Sequence, residues 1–152
     1  MANADACLEV LNFLEANHGN HNQRSWAQGY RGEEEPTEDN LCGTTLCAAG
    51  AALLLNGEVR FERRDDVGIA PYWLPLVKTP YMRAWQPVDD YTNWVNRGAR
   101  LLGLNEWEAN YLFLHTNNES ALEALRRGAK GERIIPEEHE TYKFAYPHYE
   151  ED

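Results

Sequence analysis

Apolar residues recur along this chain in short, separate groups, and their spacing predicts helices more often than strands. From Ala4 to Ala16, Leu8, Leu11 and Leu14 together with Cys7, Val10 and Phe13 fall on one broad stripe, the pattern of a helix facing a core. Asn17-His-Gly-Asn ends it. Residues 21–32 are polar apart from Trp26, and the acidic run that follows, interrupted by Pro36, reads as an exposed loop.

The next helix is expected to begin near Thr44. Residues 45–55 have no polar face after Thr45, so this helix must be covered on all sides. Its small residues, Ala48 to Ala52 with Gly50 among them, let neighbouring backbones approach. Glycine costs about 1 kcal/mol against alanine inside a helix, so a close contact is expected at Gly50. Asn56-Gly57 is the stop.

Residues 58–88 contain four prolines and no sustained helical period. Val59 and Phe61 alternate with charged residues as in a short strand, and an irregular, aromatic-rich crossing follows. Asp89 or Asp90 then caps a helix carrying Tyr91, Val95, Ala99 and Leu102 on one face, stopped at Gly103. Asn105 with Glu108 forms a capping box for a helix to about His115, with Trp107, Tyr111 and Leu114 inward. Asn118 caps a last helix, Glu119 to Arg127, with Gly128 as its stop. In the tail, Tyr142, Phe144 and Tyr146 alternate, so this segment either pairs with the Val59/Phe61 strand or lies over the core as an aromatic arm. The expected fold is therefore mainly α: a compact single-domain helical bundle over residues 1–131 with a possible small two-stranded ribbon, then an acidic aromatic tail, 132–152.

Composition narrows the function classes. A chain of 152 residues with 43% apolar content is long enough to bury roughly two thirds of its unfolded surface in one domain. The longest apolar run, Ala48 to Leu55, is far short of the ~20 residues that span a bilayer, and no membrane contact is expected. The first residues carry neither a basic nor an apolar signal region, and three cysteines is an odd number, so a reducing cytoplasm is the expected compartment. The net charge of −11 is concentrated in residues 33–39 and in the tail. Such a surface repels phosphate backbones, and direct nucleic-acid binding is not expected.

No Walker loop, G-x-G-x-x-G, H-E-x-x-H or G-x-S-x-G motif occurs. Cys42, just ahead of the expected helix N-terminus, is a candidate nucleophile, because helix amides lower a thiol pKa, and His115 is its candidate base. The plainer reading makes Cys42 a small packed hydrophobe. The spacings C-x4-C (Cys42, Cys47) and H-x2-H (His18, His21) invite a zinc site. Residues five apart on a helix, however, point about 140° from one another, so no metal and no cofactor is expected. The arginines and lysine at 126–133 offset a helix dipole more simply than they read DNA.

Trp26, then Cys42-Gly-Thr-Thr-Leu-Cys47-Ala-Ala-Gly-Ala-Ala, then Arg100-Leu-Leu-Gly-Leu-Asn-Glu-Trp-Glu-Ala-Asn-Tyr-Leu-Phe113 resemble the pattern of a set of small uncharacterised proteins of actinobacteria and their bacteriophages. The resemblance implies a phage-type origin and a mostly helical fold, and it brings no catalytic residues. This chain departs from the set in its longer acidic loop and long tail. The leading expectation is a small acidic cytoplasmic accessory protein that binds and modulates a host protein without catalysis. Its candidate contacts are Trp73, Trp85, Tyr142 and Tyr146 as aromatic anchors and Glu33, Glu34 and Glu35 as charges. Two alternatives stand beside it: a hydrolase or transferase using Cys42, and an acidic nucleic-acid mimic that inhibits a host defence enzyme.

Overall fold

The computed structural model describes residues 2–65, 70–87 and 91–136. In chain order these form α1 (Ala4–Ala16), a 3-10 turn at His18–Asn20, β1 (Ala27–Gln28), β2 (Tyr30–Arg31), β3 (Thr45–Leu46) and α2 (Ala48–Leu55). There follow β4 (Val59–Arg64), β5 (Tyr72–Val77), β6 (Gln86–Pro87), α3 (Tyr91–Leu102), α4 (Glu106–Leu114) and α5 (Asn118–Ala129). Strands β1 and β3 form a small antiparallel pair. The larger antiparallel sheet runs β2-β5-β4, with β6 also on β5.

The fold is thus mixed α and β, which corrects the expectation of a mainly helical bundle with one small ribbon. The Val59/Phe61 strand does form, but its partner is Tyr72–Val77. That segment, Tyr-Trp-Leu-Pro-Leu-Val, contains a proline and little polar alternation, and so hides its strand character. Asp89, Asp90 and the tail aromatics Tyr142, Phe144 and Tyr146 lie outside the described residues.

Helix α2 organises both halves of the core. Its Ala48, Ala49, Ala51 and Ala52 pack with α1, α4 and α5 in one cluster, while Leu53 and Leu54 join Leu46, Val59, Phe61, Trp73, Val77 and Trp94 in another. A helix with cores on two sides has no room for a polar face, which explains its composition. It is shorter than expected: Thr45 and Leu46 pair with β1, and Cys47 is the N-cap. Gly50 meets the predicted close contact, because a Cβ there would lie 2.3 Å from the Trp26 carbonyl oxygen.

The helix signals at the C-terminal end hold with local shifts. Gly103, at φ 68°, stops α3, and the Asn105/Glu108 capping box opens α4. Helix α5 is capped by Asn117 with Ser120, one residue ahead of the expected Asn118, and Gly128 lies inside the helix against the Cys7 thiol instead of ending it. Leu8 and Leu114, expected inward, are exposed. Beyond α5, Ile134 returns to the core, so packing continues past residue 131.

Candidate functional site

The acidic run is built as a fixed loop. Strand β2 delivers Tyr30, whose hydroxyl donates to the Glu34 carbonyl. The Tyr30 ring occupies the space where Cβ atoms on Gly32 and Gly43 would stand, 2.5 and 2.9 Å from it. At the base, the Gly32 N–H donates to Pro71 O (2.9 Å), and the Trp73 indole N–H donates to Gly32 O (3.0 Å). On the returning limb, the Asn20 side-chain amide donates to Cys42 O (2.8 Å) and Thr44 O (2.9 Å).

The tip is tied as well. Thr37 and Asn40 exchange backbone hydrogen bonds of 2.8 and 3.1 Å, and the Asn40 side chain takes the Cys42 N–H (3.1 Å) while donating to Glu34 Oε2 (3.3 Å). Pro36 and Leu41 are buried beneath it. Closed ends and packing on its own side chains make this a compact surface loop with a defined shape. It leaves Glu33, Glu34, Glu35, Glu38 and Asp39 exposed. Partial burial, the adjoining Cys42 thiol and the carboxylates of Glu34 and Glu33 push the Tyr30 phenol up to about 12. The hydroxyl therefore stays a donor at physiological pH.

Cys42 belongs to this loop and not to a helix start. It adopts φ 55°, and α2 begins only at Ala48. Its Sγ faces Glu34 O (4.0 Å), Glu34 Oε2 (3.9 Å) and Asn40 O (3.8 Å). No histidine among the described residues hydrogen-bonds to it. The expected helix-activated thiol is thus corrected: the sulfur at the N-terminus of α2 is Cys47, which accepts from the Gly50 N–H at 3.4 Å. Burial pushes the Cys47 thiol up to about 12 and that of Cys7 up to about 11. No group of three or more His, Cys, Asp or Glu side chains among the described residues is placed to hold a metal ion.

His115, the candidate base, is the C-cap of α4 and lines an open groove of about 500 Å³ with Arg24, Trp26, Phe113 and Asn117. Partial burial lowers its pKa. A buried network supports this groove from below. Gln23 accepts at Oε1 from the Ala48 N–H (3.1 Å) and pairs there with His21 Nε2 (2.8 Å), while its amide donates to Leu112 O (2.8 Å). Asn118 accepts from the Gln23 N–H (2.7 Å) and donates to His21 O (2.7 Å). Thus Cys42 and His115 serve different parts of the surface.

The expected aromatic anchors separate. Trp73 is buried in the sheet-side core, with its N–H spent on the acidic loop, so it is a structural fastener and not a surface anchor. Trp85 is half-buried, with the Arg60 guanidinium 4.5 Å from its ring centroid. Tyr142 and Tyr146 lie outside the described residues. The sequence reading missed Tyr30, Asn20 and Asn40 as fasteners. Only Asn40, in the turn-forming run Thr-Glu-Asp-Asn, carried a local signal.

No protein-family model, curated protein or solved structure matches this chain. Among the described residues, no helix is long and apolar enough to cross a membrane.

Proposed function

We propose that this chain is a non-catalytic accessory protein that binds a host protein through its acidic loop and thereby alters that protein's activity. The observation that carries the reading is the fastening of residues 32–44 at base, middle and tip, with five carboxylates left exposed. Ordering a loop before it meets its partner removes an entropic cost of binding, and a fixed array of like charges steers a basic surface into one register. A loop serving only solubility has no need of these fasteners. The chain's acidity favours a protein partner over nucleic acid. The phage-type setting and the cytoplasmic location rest on the sequence resemblance and on cysteine usage.

The test is capture from an actinobacterial lysate on the immobilised full chain. It is run in parallel on a variant carrying Glu33→Gln, Glu35→Gln, Glu38→Gln and Asp39→Asn, which keeps Glu34 and its hydrogen bond to Asn40. One saturable protein retained by the natural chain and lost by the variant is the expected result. Retention of the same protein by both, or of none by either, overturns the reading.

A further inference from the structure

Strand β4 lies at the rim of the larger sheet, and among the described strands it pairs with β5 alone. In an antiparallel ladder only every second residue bonds across to a given neighbour, and the alternate residues turn their N–H and C=O groups the other way. The Lys78 N–H donates to Glu58 O (3.0 Å), which sets the alternation: Arg60, Glu62 and Arg64 bond across to Leu76, Leu74 and Tyr72. Pro75, which has no N–H to give, accordingly stands opposite Phe61. The N–H and C=O groups of Val59, Phe61 and Arg63 therefore point off the sheet, and no described residue bonds to them.

The side chains along this edge carry a self-complementary pattern. Val59 and Phe61 are buried in the sheet-side core, so one face holds the strand in shape. On the opposite face Arg60 and Glu62 are exposed. The Arg60 guanidinium rests over the Trp85 ring at 4.5 Å and has no carboxylate partner among the described residues. Stacking fixes its plane and leaves its N–H edge for a carboxylate. Glu62 engages Arg64 through Oε2 (2.8 and 3.1 Å), and no described residue bonds to its Oε1. Charged side chains ordinarily keep an edge strand from pairing; here they favour one register.

We infer that β4 pairs antiparallel with β4 of a second copy of this chain, about a two-fold axis at Phe61. In this register Phe61 faces Phe61 of the other copy and Val59 faces Arg63, so every unpaired backbone group of one strand meets an unpaired group of the other. Arg60 then stands opposite Glu62, twice by symmetry, in the position where unlike charges stabilise a sheet. Moving the axis to Arg60 or to Glu62 sets like charges directly opposite each other, and larger shifts pair fewer of the free backbone groups. The net charge of −11 bears little on this contact, because residues 60–65 set three arginines against Glu62 and Asp65. The acidic loop leaves β2, two strand spacings from β4. That is about 10 Å, beyond the roughly 8 Å over which charges act at 0.15 M salt.

The experiment is sedimentation velocity of the full chain at 0.15 M salt from 5 to 500 µM, with amide hydrogen exchange at both ends of that range. The expected result is a concentration-dependent shift from monomer to dimer, with exchange at Val59, Phe61 and Arg63 slowed in the dimer. Arg60→Glu sets like charges opposite each other and should weaken dimerisation at least tenfold. Arg60→Glu/Glu62→Arg swaps the two charges and should restore it, with circular dichroism unchanged in both variants. A chain that stays monomeric throughout, whether its own tail or nothing covers β4, overturns the inference. So does a dimer whose three amides exchange as fast as in the monomer, an Arg60→Glu variant that dimerises as well as the natural chain, or a swapped variant that stays as weak as Arg60→Glu.

Discussion

Arg97 in α3 holds both carboxylate oxygens of Glu58, at 2.7 Å from Nε to Oε1 and 3.1 Å from Nη2 to Oε2, in a pair that is largely shielded from water. Glu58 stands at the head of β4, where its backbone N–H bonds to Leu53 O and its carbonyl accepts from Lys78. The pair therefore joins α3 to the point where α2 turns into the sheet. The carboxylate also holds the Arg97 pKa above its ordinary value.

Removing one member strands the other. Arg97→Ala leaves a buried carboxylate without its cation and should cost about 3 kcal/mol of unfolding free energy in a urea titration. The double variant Glu58→Gln/Arg97→Met leaves no buried charge and should cost less than Arg97→Ala alone. A double variant as unstable as the single, or additive with Glu58→Gln, would show that the pair is not the interaction at stake.

Gly50 gives a second prediction. Alanine is favoured over glycine inside a helix by about 1 kcal/mol, but here its Cβ would stand 2.3 Å from Trp26 O and 3.1 Å from a Leu46 methyl carbon. Gly50→Ala should destabilise by about 2 kcal/mol through forced displacement of the 21–26 segment. A stabilised variant in thermal unfolding would mean that the segment yields freely.

What the sequence disclosed follows from the range of each interaction. The Asn105/Glu108 capping box, the Gly103 stop and the largely buried α2 depend on residues near one another in the chain, and they were legible. The β5 strand was not, because Pro75 and its apolar neighbours carry no period, and its pairing with β4 and β2 is a tertiary fact. The acidic residues of the candidate loop could be named in advance. Their fixation could not, because Tyr30, Asn20 and Trp73 reach the loop from separate elements. Cys47 and not Cys42 stands at the start of α2 for a similar reason: pairing of Thr45–Leu46 with β1 delays the helix by several residues.

The cysteines can be counted in solution. Cys7 and Cys47 are buried, and Cys42 is partly exposed. Ellman's reagent should therefore titrate one thiol in the native protein and all three in guanidinium chloride. Two or more native thiols would place Cys7 or Cys47 in contact with solvent.

Acid should weaken the fold through His21. Burial lowers its pKa from 6.5, partly offset by the hydrogen bond to Gln23 and reinforced by nearby His18. The unfolded chain takes up this proton first, so stability is intact above about pH 6.5 and falls as pH drops from there toward the folded-state value. Unfolding free energies at pH 7.5 and 5.5 should show the decline. It should be shallower in His21→Gln, with His115, also lowered by burial, supplying the remainder. Equal slopes for the two proteins would exclude His21 as the source.

Whether the carboxylates of residues 33–39 act as a fixed array is tested by one comparison that leaves the charge unchanged. Tyr30→Phe/Asn40→Ala removes the phenol latch and the side-chain ties at the tip while keeping every carboxylate. Affinity for a labelled arginine-rich peptide at 0.15 M salt is then compared with that of the natural chain. Binding at least fivefold weaker in the unlatched variant, with circular dichroism unchanged, is the expected result. Equal affinity would show that charge alone is recognised and that the fastening of the loop has no part in binding.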